Sequence, residues 1–461
     1  MDVKTNGDIS FWYADIGGIP QKRPPLPGDR EADVCIIGAG YTGLWTAYYL
    51  KKADPSLDIV VLEREFAGFG ASGRNGGWLS GGFSWSREKY EKTSSRGAVV
   101  DLQNAMAGTV DEVERVTRAE GIDADLIRVD KLVVATNAAQ LERVREEYRF
   151  GLDWQIPPER LQLLSAEDAA KRIRIADLKG AVLYRNMARV QPAKLVRGLA
   201  RVVEGLGVSI YEGTTVIRFE QGRVTTDRGM VRAPKIIRAT EGFSAGLPGF
   251  ERTWLALNSA QIVTEPVPDA VWKEIGWEGH ELLGDAAHAY CYAQRTREGR
   301  ITMGGRGVPY RYGSATDVNG RTQQATIDAL HGILTRLLPQ TKALKIDHAW
   351  CGVLGVPRDW CTTAGFDRTT GIGWAGGYVG LGVSSSNLAG RTLCDLVLDR
   401  KTELTGLPWV NRTVRKWEPE PFRWLGVHSM YQLYRMADDR EFSGLSHTSK
   451  LAALADSITG H

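Results

Sequence analysis

Three glycines with GxGxxG spacing, Gly38, Gly40 and Gly43, directly follow the short apolar run of residues 33–37. That run has the length and the β-branched side chains of a buried parallel strand. Glycines at these positions allow a tight turn, close approach of the backbone to a pyrophosphate, and close packing of a helix on a strand. The pattern therefore predicts that a dinucleotide binds at a helix N-terminus.

The residues that follow complete a βαβ unit around this turn. Residues 44–52 predict a helix, and residues 58–62 predict a second buried strand that ends at Glu63, twenty residues after Gly43. An acid at that distance accepts hydrogen bonds from ribose hydroxyl groups. The agreement of strand, turn, helix and acid predicts a dinucleotide site, which the glycines alone would not.

A glycine-rich loop at residues 68–77 distinguishes FAD from NAD. A nicotinamide-binding domain would normally continue into another βα unit, whereas this loop contains Ala71, Ser72, Arg74 and Asn75 among its glycines. Such a loop provides backbone, hydroxyl and amide groups that can follow a long extended cofactor toward its ring. We therefore predict FAD as the cofactor.

Residues 71–77, just after the acid of the βαβ unit, resemble the D-amino-acid oxidase superfamily of flavoproteins, in its γ-glutamylputrescine oxidase-like branch. The ATxG turn at 239–242, the glycine-rich segment 374–386 and the run 417–425 resemble the same branch in the same order. The resemblance covers essentially the whole chain. It departs from the related pattern at Glu241, where Asn is usual, so the resemblance assigns no specific role to this residue.

This resemblance implies an α/β fold, with a glutathione reductase-type, Rossmann-like FAD-binding domain and an interleaved mixed-sheet substrate domain. Strands at 208–211, 214–219 and 231–240 are expected to extend the first βαβ sheet. The expected domain segments are 1–98, 186–248 and 346–404 for FAD binding, 99–185 mainly for the substrate domain and connecting helices, 249–345 for the substrate domain, and 405–461 for a C-terminal helical extension.

The resemblance also assigns cofactor contacts in all three FAD-binding segments. Val216 is expected beside the adenine, and the turn with Thr240 and Gly242 is expected to close over the dinucleotide. Glycine N–H groups and a helix N-terminus in the last segment can stabilise negative charge on a reduced flavin. The predicted cofactor-binding residues are Gly38, Gly40, Tyr41, Thr42, Gly43, Glu63, Arg64, Ala71, Ser72, Arg74, Asn75, Gly76, Gly77, Trp78, Val216, Thr240, Gly242, Cys351, Gly377, Tyr378, Gly380, Leu381, Gly382 and Val383.

Cys351 raises the question of a covalent flavin. Sarcosine oxidases of the same superfamily link FAD to a cysteine on the corresponding strand, with a proline six positions later, and here Pro357 follows Cys351. The intervening residues differ, and buried cysteines are commonly inert. A thioether to FAD is therefore left open, but the sequence favours a non-covalent cofactor.

The activity that the resemblance implies is oxidation of a small amine or amino acid. A neutral amine gives hydride from the carbon next to its nitrogen to FAD, and water converts the imine to an aldehyde or keto acid. The electrons then pass to dioxygen or another acceptor. The candidate catalytic residues are Arg306, which could bind a carboxylate bidentately, and Tyr292 and Trp350 as walls of the site. A structural ion pair and core aromatics are the alternative roles.

Two other functions remain open. Residues 284–288 match the GDAAH string of single-component aromatic hydroxylases, which suggests a flavin-dependent monooxygenase acting on a small molecule. A tyrosine-rich strand follows the string here, however, where those enzymes have a turn and a helix, so we interpret the match as coincidence. The other alternative is a non-catalytic flavin-binding subunit, which no amine would reduce.

Composition argues against several classes of protein. The 58 basic and 55 acidic residues leave a net charge of +3, which gives no reason to expect a nucleic-acid partner. No apolar run is long enough to span a membrane, and the first residues lack the features of a signal peptide. Five scattered cysteines without CxxC spacing predict neither disulfides nor a metal site. We expect a cytoplasmic protein.

Periodicity predicts the remaining elements. The aromatic triplet 11–13 is expected to pack on the body of the protein, and residues 289–304 predict a hairpin. Helices are predicted at 87–120, 138–149, 192–205, 321–338 and 387–399.

Overall fold

The structure is a computed structural model, and it describes residues 3–82, 87–305, 310–316, 319–452 and 455. The strands, in chain order, are β1 Val3–Asn6, β2 Arg30–Glu31, β3 Val34–Ile37, β4 Ile59–Leu62, β5 Trp78–Leu79, β6 Ile127–Ala135, β7 Leu161–Ser165, β8 Gly180–Arg189, β9 Ser209–Tyr211, β10 Val216–Glu220, β11 Arg223–Thr226, β12 Met230–Arg232, β13 Lys235–Arg238, β14 Leu255–Thr264, β15 Leu282–Asp285, β16 Cys291–Arg295, β17 Ile301–Gly305, β18 Ile346–Val356, β19 Thr363–Asp367 and β20 Ile372–Gly376. The α-helices are α1 Phe11–Asp15, α2 Tyr41–Ala53, α3 Arg87–Glu91, α4 Arg96–Ala119, α5 Ala138–Asp153, α6 Ala166–Ala170, α7 Pro192–Gly205, α8 Asp269–Ile275, α9 Gln324–Leu337, α10 Gly382–Val397 and α11 Phe422–Phe442.

The predicted βαβ unit lies at the centre of a six-stranded sheet. Its strand order is β19-β20-β13-β3-β4-β9, and every neighbouring pair is parallel except β19 and β20. All residues of β3 and β4 are buried, because helices α2, α7 and α10 pack on one face of the sheet and the strands β10, β11 and β12 pack on the other. The sheet takes strands from three separated parts of the chain, as the α/β prediction requires.

The prediction that residues 214–219 and the whole of 231–240 extend this sheet is wrong. Only β9 and β13 join it, whereas β10, β11 and β12 form a separate four-stranded sheet with β2. β10 is exposed at several positions and cannot replace a strand that is covered on both faces. Pro234, which lacks a backbone N–H group, separates β12 from β13.

A second large sheet has ten strands in the order β1-β18-β14-β17-β16-β15-β6-β8-β5, with β7 beside β8. It is mixed, because β1 is parallel to β18 and β15 is parallel to β6, while the other pairs are antiparallel. Apolar side chains of α8 and α9 cover one face. β1, β5 and β18 belong to this sheet, although the expected segments 1–98 and 346–404 group them with FAD binding. The domain boundaries stay a prediction.

Several helices begin elsewhere than periodicity predicts. The helix expected at 87–120 is two helices, and Ser95 caps the second one by accepting a hydrogen bond from Ala98 N. α10 begins at Gly382, five residues before the predicted start, and its early serines are buried. Among the described residues, no helix combines the length and the apolarity that crossing a bilayer requires.

Candidate active site

The GxGxxG turn joins β3 to α2 and forces two close backbone approaches. A Cβ at Gly43 would clash with Gly38 O, and a Cβ at Gly38 would lie 2.7 Å from Ala239 O. Gly38 also has a φ of +105°, which favours glycine. N–H groups in the first turn of a helix have no partner within that helix. The turn therefore holds the α2 N-terminus where phosphates can bind it.

Glu63 lies beside this turn. One carboxylate oxygen accepts a hydrogen bond from Ala39 N at 2.9 Å, and the other accepts one from Glu65 N at 2.9 Å. Burial raises the pKa of Glu63, although these two hydrogen bonds oppose the shift. Carboxylate oxygens can accept more than one donor, so Glu63 retains the capacity to bind ribose hydroxyl groups. The neighbouring Arg64 is partly exposed and lies 5.5 Å from the Phe243 ring.

The loop after β4 is folded by its own side chains. Asn75 Nδ2 donates to Ala71 O at 3.2 Å and to Ser72 O at 2.9 Å, and Asn75 Oδ1 accepts from Gly77 N at 2.8 Å. Ser72 Oγ accepts a hydrogen bond from Tyr41 N at 2.8 Å. This loop is therefore fixed against the N-terminus of α2.

Arg74 attaches the same loop to the ten-stranded sheet. Its buried guanidinium donates from Nε to Phe69 O at 2.8 Å and from Nη1 to Cys351 O at 3.2 Å. Its carbonyl oxygen accepts hydrogen bonds from Gln261 Nε2 at 2.6 Å and from Trp350 Nε1 at 2.9 Å. Within this structure, Arg74 serves as a link between chain segments.

Tyr292 lies on the face of the sheet that meets this loop. Trp350, Gln261, Gly304 and Tyr292 are paired directly across four neighbouring strands, so their side chains share one face. The Tyr292 ring covers Gly304, where a Cβ would clash with it, and a Cβ at Gly76 would lie 2.8 Å from the same ring. The loop and the sheet therefore enclose Tyr292 between two glycines.

The surroundings of Tyr292 are aromatic and weakly polar. Its hydroxyl group is 3.0 Å from Ser259 Oγ, and burial raises its pKa, so the phenol stays neutral. The Trp78 ring lies 6.0 Å away in an edge-on orientation, and Trp78 Nε1 donates to Ala293 O at 3.3 Å. These contacts make Tyr292 and Trp78 candidate walls of a substrate site.

The other two candidate catalytic residues differ from Tyr292. Trp350 is fully buried against Phe11 and Trp12, which is the packing of a core residue. Arg306 lies outside the described residues and directly follows the last residue of β17.

The third predicted segment lies between β20 and α10 and touches the first. The Tyr378 hydroxyl is 2.8 Å from Thr42 Oγ1, in the first turn of α2. Gly380 has a φ of +95°, and Leu381 is the N-cap of α10. The predicted residues Gly377, Gly382 and Val383 belong to the same connection and helix start. The first turn of α2 and the connection that leads into α10 are thus joined by one pair of hydroxyl groups.

Glu241 joins the second segment to the third. It has a φ of +44°, and its carboxylate accepts hydrogen bonds from Tyr378 N at 3.0 Å and Gly377 N at 3.4 Å. Burial raises the pKa of Glu241 to about 7, and the hydrogen bonds from Tyr378 and Gly377 partly offset that rise. The residue at which the chain departs from the related pattern is the one that connects the two turns.

The remaining predicted cofactor residues lie around the edges of this region. Thr240 Oγ1 is 2.8 Å from Ser244 Oγ, and Gly242 packs so closely on β18 that a Cβ would lie 2.8 Å from Val353. Val216 is half-buried in a small apolar cluster beside β4. Its place at the start of β10, outside the six-stranded sheet, corrects the topology that was expected for it.

Cys351 is buried in the apolar cluster under α9, and its Sγ donates to Arg321 O at 3.4 Å. Its carbonyl oxygen, by contrast, accepts from Arg74 on the side of the loop.

Three of the side chains that bind the loop at 68–77 were not predicted as site residues. Trp12 Nε1 donates to Asn75 O at 2.7 Å, Gln294 Nε2 donates to Gly76 O at 2.5 Å, and Gln261 Nε2 donates to Arg74 O at 2.6 Å. Glu241, which binds the turn at 377–378 instead, was not predicted as a site residue either. For Trp12 the sequence predicts packing of the aromatic triplet 11–13 on the body of the protein. For Gln261 and Gln294 the sequence contains no signal, because nothing near them in the chain indicates the backbone carbonyl that each one binds.

A family model described as FAD dependent oxidoreductase, abbreviated DAO, matches residues 33–396. The chain belongs to this family. It is therefore an FAD-dependent oxidoreductase of the DAO type, and FAD is its cofactor. The match spans the glycine turns, Glu63 and the start of α10, which are the features that the sequence analysis assigned to FAD.

Named relatives cover most of the chain. The γ-glutamylputrescine oxidoreductase of Escherichia coli K12 is 29% identical over 375 residues, which are 79% of this chain and 83% of that protein. A probable oxidoreductase OrdL of Rhizobium meliloti is 26% identical over 409 residues, which are 85% of this chain and 89% of that protein.

Solved structures share the fold of this protein. Glycine oxidase from Geobacillus kaustophilus superposes with a TM-score of 0.68 at 20% identity, covering 83% of this chain and all of that one. An L-amino acid deaminase from Proteus myxofaciens superposes with a TM-score of 0.67 at 15% identity, over 85% and 95% of the two chains. At these identities the likeness shows the fold alone.

Proposed function

We propose that the protein oxidises a small amine or amino acid at the carbon next to the nitrogen. The observation that carries this proposal is the meeting of the glycine-lined turns, through Thr42 with Tyr378 and Glu241 with Tyr378. The loop at 68–77 contacts the α2 N-terminus through Ser72 and the Tyr292 ring through Gly76. A relative is named γ-glutamylputrescine oxidoreductase and a structural neighbour is named glycine oxidase, which supports the choice of substrate class.

The residues fit FAD in charge and in space. We propose that the turn Gly38 to Gly43 and the α2 N-terminus hold the pyrophosphate, and that Glu63 binds a ribose. The N-terminus of α10 and the backbone of Gly377 to Gly382 would hold the flavin ring. We further propose that FAD is not covalently bound, because Cys351 Sγ lies in the cluster under α9.

When bound, FAD would supply the oxidising chemistry, by accepting a hydride from the carbon next to the amine nitrogen, and loss of an N–H proton would leave an imine. Water then hydrolyses the imine to an aldehyde or keto acid. The protein must position and desolvate a neutral amine, and this demands no strong base. We propose that Tyr292 and Trp78 form walls that exclude water, and that Arg306 binds an anionic group of the substrate.

The test is to mix the FAD-loaded enzyme with single compounds in the absence of oxygen. Reduction of the flavin is measured by its absorbance. A panel should include γ-glutamylputrescine, glycine, sarcosine and simple alkylamines. We expect at least one amine, but neither NADH nor NADPH, to bleach the flavin. Reduction by NAD(P)H alone would identify a monooxygenase, and reduction by no compound would favour a flavin-binding subunit. Oxygen consumption with the active amine then distinguishes an oxidase from a dehydrogenase.

Variants at two tyrosines test whether the substrate lies beside Tyr292. Tyr292→Leu removes the aromatic ring that is proposed to form a wall of the site, and we expect up to roughly tenfold weaker substrate binding, which corresponds to about 1 kcal/mol of lost aromatic contact. Tyr312→Leu is the matched control, since Tyr312 is exposed. Equal KM values for both variants would remove Tyr292 from the substrate site.

The structure does not favour the monooxygenase alternative. Strand β15 ends at Asp285 within the GDAAH string, and the chain continues into strand β16 at Cys291. Asp285 Oδ1 accepts a hydrogen bond from Cys291 N at 2.8 Å, so its carboxylate stabilises this turn.

A further inference from the structure

A cleft of about 400 Å³ lies between the end of α4, the segment that precedes β6, and the last residue of β8. None of the residues that line it belongs to the predicted cofactor set. Its size is within the range of roughly 300–1,000 Å³ that small-molecule sites occupy. The cleft is therefore large enough for a ligand other than FAD.

Arg189, the last residue of β8, lies in the wall of this cleft with only 3% of its surface exposed. Among the residues that the structure describes, none forms an ion pair or a side-chain hydrogen bond with its guanidinium. Its Nε is fully buried without a partner. Burial lowers the pKa of Arg189, yet an arginine keeps its charge at neutral pH. The wall therefore contains a charged group that has no ion-pair partner among the described residues, although Asp125 and Asp15 attract it through space.

The acid that attracts Arg189 most strongly already forms ion pairs with other cations. Asp125 also lines the cleft and attracts Arg189 through space, but its Oδ1 binds Lys194 Nζ at 2.9 Å and Arg297 Nη1 at 2.8 Å. Arg297 and Arg295 repel Arg189. Asp125 is thus shared between two other cations and does not neutralise Arg189.

The other acids of the cleft are engaged as well. Glu114 Oε1 binds Arg118 Nη2 at 2.6 Å, and its other oxygen binds Arg128 at 2.6 Å. Asp123 lies 3.3 Å from Lys194. An uncompensated charge is costly to bury, so a site of this kind favours an anion from outside the protein.

We propose that this cleft binds a small aliphatic carboxylate, whose two oxygens accept hydrogen bonds from the Arg189 guanidinium. Arginine matches the geometry of a carboxylate, because its planar fork can donate two parallel hydrogen bonds. Ile122, Leu126 and Ile127 provide an apolar wall of the cleft for the aliphatic part of the ligand. The site depends on no feature of the proposed amine oxidation.

Calorimetric titration of the FAD-loaded enzyme with butyrate tests the proposal. We expect saturable binding in the wild type and at least tenfold weaker binding in Arg189→Met. Arg118→Gln is the matched control, because Arg118 lines the same cleft with a side chain that is 79% exposed and paired with Glu114, and it should keep the wild-type affinity. Absence of saturation, or equal affinity in Arg189→Met, would overturn the proposal.

Inorganic phosphate provides a second arm of the same titration. If phosphate binds more tightly than butyrate, the cleft binds anions in general and does not select a carboxylate, which would contradict the proposed ligand.

Thermal unfolding is an independent readout, since butyrate should raise the Tm of the wild type but not that of Arg189→Met. Without butyrate, Arg189→Met should be at least as stable as the wild type, because it removes an uncompensated charge. Loss of stability or failure to fold would show that Arg189 has a partner within the protein, and the proposal would fail.

Discussion

The carboxylate of Glu241 accepts a hydrogen bond at 3.0 Å from the backbone amide of Tyr378, 137 residues later in the chain. A second hydrogen bond, from Gly377 N, reaches the same side chain. One half-buried acid therefore fixes two of the glycine-lined turns relative to each other. Because burial penalises the ionised form, this link depends on the protonation of Glu241.

The first prediction concerns the pH dependence of this link in the apoprotein. Burial raises the pKa of Glu241 from 4.5 to about 7, despite the opposing hydrogen bonds from Tyr378 and Gly377. Between these values the unfolded chain binds fewer protons than the folded one, so the free energy of unfolding falls as pH rises. Glu241→Gln lacks this loss. We expect the stability of the variant relative to wild type to increase from pH 5 to pH 8, measured by urea unfolding.

Glu251→Gln is the control for this measurement. Glu251 is exposed, and hydrogen bonding lowers its pKa, so it does not titrate in the same window. Its stability relative to wild type should stay constant from pH 5 to pH 8. If the free energies of unfolding of Glu241→Gln and wild type change with pH in parallel, the pKa of Glu241 is not raised.

The central part of the fold could be predicted from the sequence because its signals are local. β3 and β4 are continuous apolar runs, and Gly43 is needed at a turn because its close contact, Gly38 O, is nearby in the chain. The role of Glu241 could not be predicted, since the amides that it binds belong to a distant turn. The resemblance even marked this residue as a departure.

The topology of the strands around the centre was also beyond the sequence. β8 is ten residues long, yet it mixes polar and apolar residues without a clear period, and it is stabilised by pairing with β6 and β7 on its two sides. β10 was assigned to the wrong sheet, because its alternation is equally compatible with a hairpin that packs elsewhere. The partner of a strand depends on tertiary packing, which a local pattern does not specify.

The second prediction concerns the glycine turn. Gly43→Ala places a methyl group against Gly38 O and must push α2 away from β3. We expect FAD affinity to fall roughly tenfold or more, and stability to fall by about 1–3 kcal/mol, which is typical of overpacking. Flavin content after dialysis and titration with FAD measure the first effect.

Gly108→Ala is the control, since Gly108 is exposed in α4 with open space around it, and this change should stabilise α4 by up to about 1 kcal/mol. A yellow Gly43→Ala enzyme with wild-type affinity would contradict the assignment.

The third prediction concerns the attachment of α11. Glu441, near the end of this helix, binds Arg143 of α5 at 2.7 Å and His288 at 2.9 Å. Burial opposes its ionisation, but these two partners lower the pKa of Glu441 from 4.5 to about 2. Glu441→Gln leaves the partly buried Arg143 guanidinium without its counter-charge, and we expect a loss of up to about 3 kcal/mol. Hydrogen exchange of α11 amides should accelerate accordingly.

The sign of the pH effect at Glu441 is opposite to that at Glu241. Its stabilisation is present above about pH 4.5 and is lost as pH falls toward about 2, so Glu441→Gln should remove part of the acid sensitivity of the wild type. Glu142→Gln is the control, because Glu142 pairs with Arg149 on the exposed side of α5, where an ion pair contributes less than about 1 kcal/mol. Unchanged α11 exchange in Glu441→Gln would show that the helix is held by other contacts.

The last prediction concerns the cofactor bond at Cys351. The thiol donates to Arg321 O at 3.4 Å and lies in the apolar cluster under α9, whereas the loop at 68–77 meets the opposite side of the strand through Trp350. Side chains of neighbouring strand residues point to opposite faces, so the thiol is directed away from that loop. We expect acid-denatured holoenzyme to release all its FAD and to have the mass of the polypeptide alone.

Cys351→Ala should bind FAD as the wild type does. Cys394→Ala, which changes a buried cysteine of α10, controls for packing loss. A mass increase equal to one flavin that disappears only in Cys351→Ala would establish the thioether instead.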